Sequence, residues 1–113
     1  MKLPCAAWAC VAPSKVHSYL LSPDHPDGRH KAIFFGSLGY AENAWRVLRE
    51  DLRNHAREGN VVGVCDGPFG RRYRVRGNLL GPTGRTAVVI TVWIVPFGAT
   101  TPRFLTAFPR SWS

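Results

Sequence analysis

Four stretches of this chain place reactive side chains at spacings suited to chemistry on a phosphodiester or another anion. The first is His25-Pro26-Asp27-Gly28-Arg29-His30-Lys31. Its prolines and glycine predict a rigid surface loop running into a helix. A histidine held there beside Arg29 and Lys31 suits general acid or base work, the cations stabilising phosphate charge. The competing reading is that His25 only bonds the loop backbone. The second stretch is Arg71-Arg72-Tyr73-Arg74-Val75-Arg76. Strand alternation puts Arg72, Arg74 and Arg76 on one face, roughly 7 Å apart, and Arg71, Tyr73 and Val75 on the other. Arginine forks fit phosphate oxygens, so this ridge suits an RNA or DNA backbone; equally, charge keeps an exposed strand from aggregating.

The third stretch, Thr86 to Val95, has two candidate faces. Val88, Ile90, Val92 and Ile94 form an unbroken apolar row expected to pack on the helices. That orientation leaves Thr91 and Trp93 on the far side, as a base-stacking platform, a cleft wall or ordinary cross-strand packing. The fourth, Arg103 to Pro109, contains Arg103 and Thr106. Residues three apart fall on opposite faces of a regular strand, so only a bulge brings these two together.

Several chemistries find no support. The sequence has no GxSxG, P-loop, GxGxxG or HExxH pattern, and seven acidic residues are few for a two-metal nuclease. Cys5, Cys10 and Cys65 form neither a CxxC pair nor an even disulfide set, so no metal and no cofactor is expected and the thiols read as reduced and mostly buried.

The elements that must position these groups follow from periodicity. Val16, Tyr19 and Leu20 predict a short helix over Lys15 to Leu21 capped by Ser14. Ile33, Phe34 and Leu38 predict another over Arg29 to Leu38, stopped by Gly39. Trp45, Leu48, Leu52 and Ala56 mark a longer one over Glu42 to Arg57. Beyond Asn60 come β-rich runs at 61–66, 71–76, 86–95 and 103–108, joined by Gly- and Pro-rich connections that include Gly77 to Gly84. Helices first and strands afterwards predict an α+β fold, N-terminal helices on a four-stranded, mainly antiparallel sheet, with 113 residues forming a single domain.

Charge is distributed unevenly. The chain carries 15 Lys and Arg against 7 Asp and Glu, a net +8. Residues 1–58 hold eight basic against six acidic side chains, and residues 59–113 seven arginines against Asp66 alone. The helical half is therefore nearly neutral and the strand-forming half carries the excess, which attracts RNA, another anionic partner or a small acidic protein. Leu3 to Ala12 is too short and too interrupted by Pro4 and Trp8 for a signal peptide, and no run is long enough to span a membrane, so a cytoplasmic location is expected.

Three segments carry a resemblance: His25-Pro26-Asp27-Gly28-Arg29-His30-Lys31-Ala32-Ile33-Phe34-Phe35 with Leu38-Gly39-Tyr40, then Gly81-Pro82-Thr83-Gly84-Arg85, and finally Thr91-Val92-Trp93 with Arg103-Phe104-Leu105-Thr106-Ala107-Phe108-Pro109. Together they resemble a bacterial family of short domains of unknown function, from which Cys5 and Cys10 depart. The order of helices and strands is also similar to the RelE, barnase and colicin-type ribonuclease toxins. That likeness implies a metal-independent site on the sheet, with His25, Lys31, Thr91 and Arg103 as catalytic candidates and Thr106 behind them. The expected function is a ribonuclease-like toxin domain in which Arg72, Arg74, Arg76 and Trp93 hold nucleic acid. The alternatives are a non-catalytic nucleic-acid-binding module and a protein partner in a toxin–antitoxin-like pair.

Overall fold

The computed structural model describes residues 1–112. After a 3-10 turn at Ala6–Trp8 come α1, Pro13–Lys15, continued by a π-helical turn at Val16–Leu20, then α2, Arg29–Ser37, and α3, Trp45–Glu58. Four strands follow: β1, Asn60–Asp66; β2, Gly70–Leu80; β3, Thr86–Pro96; β4, Arg103–Pro109. They pair antiparallel in chain order, a meander with β1 and β4 at its edges. The α+β architecture expected from the sequence is what forms.

Register decides which face is dry. Tyr73 pairs with Trp93, Val75 with Thr91 and Leu79 with Ala87, so the face of β2 opposite its arginines is continuous with Val89, Thr91 and Trp93 of β3. Phe104 and Ala107 extend it on β4. Leu48, Leu52 and Ala56 of α3, with Val16, Leu20 and Phe35, pack against this face to form the core. The expectation for β3 was therefore inverted. Val88, Ile90, Val92 and Ile94 lie on the outer face with Arg72, Arg74 and Arg76, while Thr91 and Trp93 are fully buried. Both rows of β3 are apolar, and pairing with β2 selects between them.

Helix boundaries differ where backbone hydrogen bonding overrides side-chain periodicity. Ser14 caps nothing, because Pro13 already occupies the first turn; the Leu21 N–H reaches back five residues to the Val16 carbonyl and makes the π turn. At the end of α2, Gly39 takes φ 101°, a conformation that suits glycine. There the Gly39 N–H bonds the Gly36 carbonyl and the Tyr40 N–H the Phe35 carbonyl, closing the helix as a Schellman motif. The third helix starts with a 3-10 turn at Glu42–Ala44 before becoming α-helical. The second strand continues through Gly77 to Leu80, so its hairpin connection is only Gly81 to Arg85.

The N-terminal segment guards the sheet edges. The Val61 N–H of β1 bonds the Met1 carbonyl, and Cys10 pairs in parallel with the start of β4 through Pro102 and Phe104. Leu3, Ala9 and Val11 along it are buried, whereas Cys5, Cys10 and Cys65 are exposed, against the expectation of buried thiols. No helix among the described residues is long and apolar enough to cross a membrane.

Candidate functional site

The outer face of the sheet reads as rows across the strands. One row runs Cys65, Arg72, Ile94, Arg103, and the next Gly63, Arg74, Val92, Thr106. A third places Arg76, Ile90 and Phe108 side by side. A bulge in β4 between the pairs Val92–Thr106 and Trp93–Phe104 inserts Leu105, and this extra residue is what puts Arg103 and Thr106 on one face. Arg72, Arg74 and Arg76 are exposed and, among the described residues, none is paired with a carboxylate. Arg71 instead bonds Asp66 at 2.7 Å on the other face, which leaves the ridge of three uncompensated.

At the β4 edge, side chains from the helical half close on this face. Lys31 of α2 donates to the Tyr19 hydroxyl at 2.6 Å and to Thr106 Oγ1, and Tyr19 and Thr106 lie 3.0 Å apart, so the three form a closed triangle. The His25 ring stands edge-on to Tyr19 at 5.0 Å, and the Lys31 ammonium lies 6.0 Å from the Phe108 centroid, with Arg74 5.8 Å from the same ring. Tyr19 sits in the π turn, a rare backbone form often found at functional sites, and the wider turn delivers its hydroxyl to the triangle. Burial pushes the Tyr19 phenol up, but hydrogen bonds to Lys31 and Thr106 and the charges of Lys31 and Lys15 outweigh it, leaving a net lowering.

The loop of residues 24–28 holds His25 by its backbone. Its Nδ1 accepts the N–H groups of Asp27 and Gly28, each at 3.0 Å, so the neutral ring carries its proton on Nε2. Gly28 is pressed against the Tyr19 carbonyl, where a Cβ would sit 2.0 Å from the oxygen. Only glycine fits there, so the loop packs directly on the backbone of the π turn.

Of the residues expected from sequence, the structure brings His25, Lys31 and Thr106 together beside Arg74, and it sets Arg103 on the same face, one row along. Thr91 and Trp93 are elsewhere. Trp93 donates to Thr91 Oγ1 at 2.8 Å, Thr91 bonds His55 Nδ1 at 3.0 Å, and His55 Nε2 donates to the Val89 carbonyl at 2.9 Å. With no solvent access on that side, Thr91 touches no substrate and Trp93 stacks no base. Burial pushes the His55 imidazole down, and its backbone partners only partly offset that. Sequence reasoning missed Tyr19 and Phe108. Tyr19 counted only as a helical apolar position, although it lies close in sequence to the His25 loop. Among the described residues no group of three His, Cys, Asp or Glu side chains is placed to hold a metal ion.

Fold and face define a class: a helical layer on an antiparallel four-stranded meander whose uncovered side is basic. In fold the chain is similar to one chain of a contact-dependent growth inhibition toxin–immunity protein complex from Klebsiella pneumoniae 342. The TM-score is 0.74 at 23% identity, covering 88% of this chain and 98% of that one. At that identity the likeness concerns the fold. By sequence, residues 2–111 match DUF6883, a domain of unknown function, and the chain belongs to that family. No curated protein matches it.

Proposed function

We propose that this domain is a metal-independent ribonuclease of the toxin type, with Tyr19, Lys31, Thr106 and His25 at its reacting centre. The observation that carries the reading is the hydrogen-bonded triangle of Tyr19, Lys31 and Thr106 at the border of a face whose Arg72, Arg74 and Arg76 have no carboxylate partner among the described residues. Tyr19, as phenolate, takes the proton of a ribose 2′-hydroxyl as that oxygen attacks the neighbouring phosphorus. The Lys31 ammonium stabilises the developing charge and protonates the departing 5′-oxygen, leaving a 2′,3′-cyclic phosphate. The proton then returns from Tyr19 to Lys31 along their mutual hydrogen bond. With Nδ1 engaged by backbone, His25 acts by donating from Nε2 to a non-bridging oxygen. Arg74 and Arg72 hold the flanking phosphates, and Arg103 one further along the strand.

Purified protein incubated with total RNA and EDTA tests this. Wild type is expected to cleave, faster as pH rises from 7 toward 9 because the phenolate fraction grows. Tyr19→Phe and Lys31→Ala are expected to lose roughly 10²–10³-fold. Intact RNA after incubation with folded wild type, or cleavage indifferent to Lys31→Ala, overturns the reading. Salt-sensitive binding without cleavage marks a non-catalytic nucleic-acid module instead.

A second reading draws on the fold neighbour, which belongs to a two-protein complex. Here the basic face docks an acidic protein partner that occupies the arginine ridge. Competition between such a partner and RNA distinguishes a toxin blocked by its partner from a domain that binds protein alone.

A further inference from the structure

We infer that the groove on the outer face is a base subsite in which Phe108 stacks an unpaired nucleobase, so that the substrate is single-stranded RNA. This rests on the ribonuclease reading and extends it from the phosphate to the base. The groove, about 640 Å³, lies within the range of small-ligand sites. Val92 lies along it and Gly63 adds no side chain; Arg72 and Arg74 border it on the β2 side, with Thr106 and Phe108 on the β4 side. An apolar strip between an aromatic ring and two guanidinium groups is the composition that holds a base flat, since bases stack on aromatic and arginine planes alike. Phe108 is partly exposed on this face, and Lys31 and Arg74 lie over its ring at 6.0 and 5.8 Å, so an entering base displaces a cation from the ring and leaves it to pair with an adjoining phosphate.

The position relative to the triangle fixes the order of contacts. Thr106, already bonded to Lys31, and Phe108 follow one another along the outer face of β4, so a nucleotide with its phosphate at Lys31 has its base over Val92 and Phe108. A base engaged in a duplex cannot enter this recess without leaving its stack. The requirement for an unpaired base is therefore geometric and independent of sequence.

The test uses a short single-stranded RNA with 2′-deoxy substitutions, which binds but cannot be cut, beside the same RNA unsubstituted and its duplex form. Phe108→Ala is expected to weaken binding of the uncleavable strand roughly 5- to 150-fold, and Phe108→Tyr, which keeps the ring, to recover most of that loss. Wild type is expected to prefer the single strand over the duplex. Equal affinity for duplex and single strand, no binding of the strand at low salt, or full affinity in Phe108→Ala overturns the subsite. If Phe108→Ala binds normally while Lys31→Ala abolishes cleavage of the unsubstituted RNA, the subsite falls and the nuclease reading stands. Weakened binding in Phe108→Ala with no cleavage by wild type gives the reverse. Near-ultraviolet dichroism from buried Trp93 verifies that each variant is folded.

Discussion

Two clusters, each of a histidine, a threonine and an aromatic side chain, lie on opposite faces of one sheet: His55, Thr91 and Trp93 inside, and His25, Thr106 and Tyr19 outside. In the inner cluster the indole N–H, the hydroxyl and both ring nitrogens of His55 all have partners within the protein. A buried network satisfied in this way adds rigidity and has no valence left for a ligand. The outer cluster is partly exposed, includes the cation Lys31, and borders three arginines that face solvent. Partner count and solvent access, more than residue type, separate a structural histidine–threonine pair from one able to react.

Experiments that strip the inner cluster should cost stability, and those on the outer one should cost only binding or rate. The largest effect is expected from Trp93→Ala, about 3–5 kcal/mol in denaturant unfolding from the cavity it leaves. A loss under 1 kcal/mol contradicts the packing of β3 described here. Next comes a matched pair of threonine replacements. Thr91→Val strands the Trp93 N–H and His55 Nδ1 and should cost about 1–3 kcal/mol, whereas Thr106→Val should change stability by under ~0.5 kcal/mol yet slow RNA cleavage. Equal stability losses for the two erase the distinction between the faces.

A smaller effect should come from pH. Burial lowers the folded-state His55 value beneath its ordinary one, so the unfolded chain binds the extra proton first as pH falls. His55 therefore stabilises fully above about pH 6.5, and that contribution fades as acid approaches the depressed folded value. Thermal melts between pH 7 and 5 should show this loss, and His55→Gln should flatten it. Smallest of all, Arg74→Ala should leave melting unchanged, weaken RNA binding several-fold and reduce the salt slope by about one. An unchanged slope means that Arg74 contacts no phosphate.

Much of this contrast was legible before the fold was known. The arginine ridge follows from strict alternation over Arg72 to Arg76, and Lys31 and His25 stand out as polar groups at a predicted loop–helix junction. The inner and outer rows of β3 were not legible, since Thr91 and Trp93 alternate with four aliphatic residues and hydrophobicity alone ranks the aliphatic row as core. Strand register placed Tyr73 opposite Trp93 and settled the choice. Tyr19 was hidden for a different reason. Its direction depends on a hydrogen bond of π type, and side-chain periodicity at 3.6 residues per turn does not encode it.

The bulge at Leu105 also bears on how this family can change length. Removing that one residue would restore an even ladder and force either end of β4 to turn over, exchanging Arg103 with Phe104 or Thr106 with Ala107 between solvent and core. Neither outcome is tolerable, because one buries a guanidinium and the other breaks the triangle at Lys31. Natural length variation should therefore collect in the hairpin connections around Gly67 and Gly98, and spare the interior of the last strand.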